Sequence, residues 1–119
     1  MNDLLILIPG NPSIPGIYDG VIDEILNRTP GMRAHVLSHR GQDSIAERID
    51  NPRSVEHLIE HHRERINEIL ETEQPQRLFL AGHSLGCSIA IRLYPSLADK
   101  IDKLILLCPF LGPQPNNTL

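Results

Sequence analysis

Cysteine is scarce in this sequence: Cys87 and Cys108 are the only two among 119 residues. Their spacing makes neither a metal-binding pattern nor the disulfide framework of a small secreted scaffold. Two buried thiols in a reducing compartment are expected instead. Long apolar runs are missing as well, and none approaches the roughly 18 residues that a membrane span needs. An acid, Asp3, opens the chain, and the apolar run behind it stops at Pro9. That order does not read as a signal peptide, so cytoplasmic placement is expected. Basic excess is absent too. Eleven Lys and Arg stand against 15 Asp and Glu, a net charge of −4, and the basic residues are scattered. Such a balance excludes a nucleic-acid footprint. There is no internal repeat or low-complexity tract.

What is present suits one globular domain. The apolar share is 40%, a little under the usual range of about 45–50% but far from disordered composition. Leu4 to Ile8 is a continuous apolar run ended by Pro9-Gly10, the signature of a strand buried on both faces. Residues 17–27 carry apolar side chains at Ile17, Tyr18, Val21, Ile22, Ile25 and Leu26, the spacing of an amphipathic helix. Arg33 to Ser38 reads as a second strand. A long helix follows Pro52, with Val55, Leu58, Ile59, Ile66, Ile69 and Leu70 on one stripe. Leu78 to Ala81 reads as a third strand, Leu85 to Tyr94 as a helix ended by Pro95, and Leu104 to Cys108 as a fourth strand. Strand and helix alternate throughout. The pattern predicts an α/β fold: a parallel sheet of about four strands with helices on both faces.

Gly82-His83-Ser84-Leu85-Gly86 fits G-x-S-x-G, a tight strand-to-helix turn that exposes a serine hydroxyl. Glycines two before and two after remove side chains that would collide across so sharp a turn. The new helix points its N-terminus at Ser84, so the Leu85 amide can donate to a developing oxyanion. The loop Pro9-Gly10-Asn11-Pro12 follows the first strand, where such a fold takes its second donor. The amide of Asn11 or of Gly10 fits that role.

These segments recur in one order. Pro9 to Pro12 is followed by Ile17-Tyr18, then Leu37-Ser38-His39-Arg40-Gly41, then Val55-Glu56-His57, then the Ser84 motif. In combination they resemble the lipid-droplet-associated hydrolase family, over nearly all of the chain. The family's loop reads PGNPG, and Ser13 stands here in place of its second glycine. The resemblance implies a serine hydrolase of the α/β-hydrolase fold, acting on carboxylic esters of lipids or sterols and peripheral to lipid surfaces. It also implies that residues 1–119 are a single truncated domain, the N-terminal portion of such a hydrolase.

The usual order of the triad is serine, acid, histidine. All six histidines lie at or before position 83, and Asp99 and Asp102 precede the last strand, at the sheet end away from Ser84. They read as surface acids. His39 follows the second strand at the same edge as Ser84, which makes it a candidate for substrate contact or for a hydrogen bond to a loop. His57-Leu58-Ile59-Glu60-His61 fits H-x-x-E-H, a zinc-protease pattern, but both histidines fall off the apolar stripe and no third ligand is nominated. A solvated helix face is expected there, with His62 a half-buried packing residue. No metal or cofactor is expected. Two readings stay open beside the ester hydrolase: a non-catalytic binding protein on the same sheet, and an acyltransferase or thioesterase on the same turn. A sheet that stops at Leu104 to Cys108 leaves an apolar edge, so self-association or a partner half is expected there.

Overall fold

The computed structural model describes residues 2–10, 16–39 and 54–107. Its elements are β1 (Asp3–Ile8), α1 (Asp19–Arg28), β2 (Met32–Val36), α2 (Ser54–Glu73), β3 (Arg77–His83), α3 (Leu85–Leu97) and β4 (Lys103–Leu107). The strands form one parallel sheet in the order β2-β1-β3-β4. All six residues of β1 are buried, as its unbroken apolar run requires of a central strand. The chain moves from β1 to β2 in one direction, and from β2 across to β3 and β4 in the other. Right-handed crossovers then place α1 on one face and α2 with α3 on the opposite face.

The core follows from that split. Leu4, Ile6 and Ile8 alternate along β1 with Leu5 and Leu7. The first set joins Leu78 and Leu80 of β3 in packing against Ile59, Ile66 and Ile69 of α2 and Ile89, Ala90 and Leu93 of α3. The second set joins Ala81 and faces Ile22 and Ile25 of α1. This second layer is thin, because no residue of α1 is fully buried. It leaves an apolar cavity of about 340 Å³ between α1 and the β3–β4 half of the sheet, lined in part by Val21, Phe79, Ile105 and Leu107.

The ends of the sheet are tied differently. At the N-terminal end Arg77 grips the buried Asp3 with two hydrogen bonds of 3.1 and 2.6 Å. That guanidinium holds the Asp3 carboxyl below its ordinary range. Asp102 accepts from the Leu78 amide at 2.7 Å and donates its own amide to the Leu78 carbonyl at 2.8 Å. At the C-terminal end Ile8 sits level with Gly82, and Gly82 with Leu106. The loop after β1 and the turn after β3 therefore emerge side by side.

Most boundaries shift from the sequence reading by one to two residues, as where β2 ends at Val36 and not Ser38, and the end of α3 shifts by three. α3 does not end at Pro95 but runs on to Leu97 with Pro95 inside it. Proline removes one ladder bond near the helix end, and Leu97, 2% exposed, anchors the last turn in the core. The Lys100 and Ile101 amides then close on the Leu97 carbonyl. Cys108 lies outside the described residues, whereas Cys87 is a buried free thiol.

Candidate active site

Ser84 sits between β3 and α3 with φ 55° and ψ −118°. A residue with a Cβ occupies that region only under strain. The flanking glycines are dictated by space. A Cβ on Gly82 would lie 2.5 Å from the Gly86 carbonyl oxygen, and one on Gly86 only 2.0 Å from the Ile8 carbonyl oxygen. Only glycine fits at either place. The turn is braced by the Ser84 amide, which donates to the Leu107 carbonyl at 3.0 Å, and by the Cys87 amide, which donates to the Ser84 carbonyl at 3.0 Å. Behind it the Cys87 thiol donates to the Gly82 carbonyl at 3.1 Å. Leu85 opens α3, so its amide lies outside the helix's own ladder.

Gly10 faces this turn directly. A Cβ on it would stand 3.3 Å from Ser84 Cβ and 3.4 Å from the His83 carbonyl oxygen. The Gly10 amide donates to Tyr18 Oη at 2.8 Å. Tyr18 Oη is in turn 2.8 Å from His83 Nδ1, with the two rings edge to face. A phenol oxygen carries one proton and two lone pairs, so Tyr18 Oη can meet the Gly10 amide and either tautomer of His83 at once.

His39 lies wholly buried beneath the same loop. Its Nε2 is 2.8 Å from the Pro9 carbonyl oxygen and 3.1 Å from that of Gly10, and its Nδ1 is 2.9 Å from His62 Nε2. Burial pushes the His39 imidazole below its ordinary value, against the pull of the two carbonyls. Burial first, and then the neighbouring His39 and His61, push His62 down to about 3. Both rings are neutral at neutral pH. An Nε2 facing two carbonyls must carry the proton, so His39 Nδ1 accepts from His62 Nε2–H. His62 Nδ1 is then a bare acceptor, buried and without a hydrogen-bond partner among the described residues.

The structure thus brings Ser84, Leu85 and Gly10 together at the C-terminal ends of β1 and β3. That place is where the chain reverses its direction across the sheet, the crevice in which open α/β sheets bind ligands. Asn11 lies outside the described residues. His39 is at this edge but under the loop, not on its open side. Asp102 serves the opposite end of the sheet, and Asp99 is exposed there. His57 is exposed and His61 half-buried; among the described residues no three ligating side chains converge. His62 is fully buried and polar in role, not half-buried packing. The sequence places Tyr18 on the apolar spacing of the first helix, whereas in the structure it precedes α1 at the N-cap and its hydroxyl serves the site; an apolar spacing carries no signal for that hydroxyl.

Comparison with solved structures places the sheet in a known setting. The monoacylglycerol lipase of Paleococcus ferrophilus matches with a TM-score of 0.66 and 26% identity, over 95% of this chain and 41% of that one. An extracellular α/β-hydrolase from a Paenibacillus species matches at 0.69 and 18% identity, over 93% and 42%. A probable hydrolytic enzyme from Pseudomonas aeruginosa PAO1 matches at 0.67 and 20% identity, over 91% and 33%. The chain spans less than half the length of these three. No curated protein matches it by sequence. Among the described residues no helix is long and apolar enough to cross a membrane. Residues 1–115 match the sequence pattern of the lipid-droplet associated hydrolases, and the chain, with its parallel sheet in part of an α/β-hydrolase fold, belongs to that family.

Proposed function

We propose that the crevice between Gly10 and Ser84 is the acyl-transfer site of a serine hydrolase that cleaves carboxylic esters of lipids or sterols. The observation that carries this reading is Ser84 itself, a strained residue between two glycines that admit no Cβ, facing a loop glycine. Strain of this kind persists only where the surrounding structure over-determines it, and it clusters at functional sites. In the proposed reaction Ser84 Oγ attacks the ester carbonyl carbon, and its proton passes to a base. The tetrahedral oxyanion is met by the Leu85 amide and by an amide of the loop. The Gly10 amide is committed to Tyr18, which favours Asn11 as the second donor. Collapse breaks the ester C–O bond and releases the alcohol with the proton, and water then frees the acid from Ser84. The base is an imidazole in most such sites. Among the described residues the imidazole next to Ser84 in the chain, His83, has its Nδ1 held 2.8 Å from Tyr18 Oη. The lipid class of ester is supported by the family to which the chain belongs.

A fluorophosphonate probe tests the reading, applied to the full gene product. Labelling that Ser84→Ala abolishes is expected. Labelling that persists in Ser84→Ala, or none in a folded wild type, overturns it. The placement of the described imidazoles favours one second reading, a site that binds esters without turnover: His83 Nδ1 is bonded to Tyr18 Oη and His39 lies beneath the loop, bonded to its carbonyls. Saturable binding of an ester analogue with no labelling and no hydrolysis is its signature.

A further inference from the structure

The loop beside Ser84 is held at both handles of one residue. Tyr18 takes the Gly10 amide from the start of α1, and His39 takes the Gly10 carbonyl, with that of Pro9, from beneath. We infer that His39, backed by His62 of α2, is the positioning residue of this site, holding the Pro9 and Gly10 carbonyls so that the loop presents one fixed face to Ser84. Its effect on Ser84 rests on the hydrolase reading above; its hold on the loop does not.

The chemistry of the ring explains why a histidine stands there. A neutral imidazole carries one donor and one acceptor on a rigid frame. The donor reaches two buried carbonyls, and the acceptor receives His62 Nε2–H at 2.9 Å. The second contact fixes which nitrogen of His39 bears the proton, as an outer partner does for a metal-ligating histidine. An apolar ring could fill the same space but would leave both carbonyls unpaired. Burial of both histidines keeps them neutral, which preserves the pattern at neutral pH.

The test uses the full gene product and two variants. In His39→Leu, checked for folding by circular dichroism, the second-order rate of Ser84 labelling is expected to fall about tenfold or more, since a small misplacement near the reacting atoms has effects of that order. His39→Gln, which keeps a donor and an acceptor at similar reach, is expected to recover most of the loss. A folded His39→Leu that labels at the wild-type rate overturns the inference, and so does a His39→Gln no better than His39→Leu. Long-range ¹H–¹⁵N spectra of wild-type histidine rings provide a measurement that needs neither labelling nor a stable variant. A neutral His39 protonated at Nε2 and slow to exchange is expected near neutral pH, and an Nδ1–H tautomer or a freely titrating ring overturns the assignment. If wild type is not labelled at all, the hydrolase reading falls while the spectra still decide the role of His39.

Discussion

Ser84 keeps a side chain in a backbone conformation that favours glycine, and the strain is separable from the chemistry of its hydroxyl. Ser84→Ala and Ser84→Gly both delete the hydroxyl, but only alanine keeps a Cβ at φ 55°. Strain at such a position costs about 1–3 kcal/mol, while glycine loses about 0.5–1 kcal/mol in extra chain entropy. Ser84→Gly is therefore expected to be more stable than Ser84→Ala by about 1 kcal/mol, read from urea denaturation of the two variants side by side. Equal midpoints would mean that the turn is relaxed in solution.

At the scale of elements, β4 is an edge of the sheet among the described residues, and Leu106 and Leu107 are 36% and 42% exposed. The apolar cavity beside α1 opens next to the same strand. An uncovered apolar edge templates pairing with another chain. Light scattering across a range of protein concentrations is expected to show self-association that Leu107→Lys reduces; a sharp monomer at high concentration would count against it. The elements themselves were legible because their signals are local: the unbroken run of β1, the helical stripe of α2 and the glycine spacing around Ser84 each lie within one short segment of chain. The helix past Pro95 was not legible, since the anchor that carries it, Leu97, acts through a core assembled from distant strands. The polar contacts of the site were hidden for the same reason. Tyr18 meets His83 from 65 residues away and His39 meets His62 from 23, and no local pattern marks either pair. His62 even falls on the apolar stripe of α2, where a packing role was the natural reading.

For the molecule as a whole, the buried imidazoles link the site to acid stability. His39 faces the Pro9 and Gly10 carbonyls and His62, and His61 lies beside His62 at 5.3 Å between ring centroids. Folded His62 titrates at about 3, against an ordinary 6.5 once unfolded, so below 6.5 the unfolded chain binds the proton that the folded one refuses. Stability is expected to fall as pH drops from 6.5 towards 3, by up to about 1.4 kcal/mol per pH unit for each such histidine. Above that window these groups add no pH dependence. Asp3 acts in the same sense at lower pH, since Arg77 holds its carboxyl down. Urea titrations at a series of pH values check this, and His62→Gln should flatten the slope by about one proton. The central place of β1 has a further consequence, in time. Its partner Arg77 on β3 lies 74 residues downstream of Asp3. At the usual pace of synthesis, about 5–20 residues per second, β1 waits roughly 4–15 s for that neighbour to leave the ribosome. For those seconds its apolar run is without half of its native cover, and the strand that ends up most protected is the one a nascent chain is slowest to shelter.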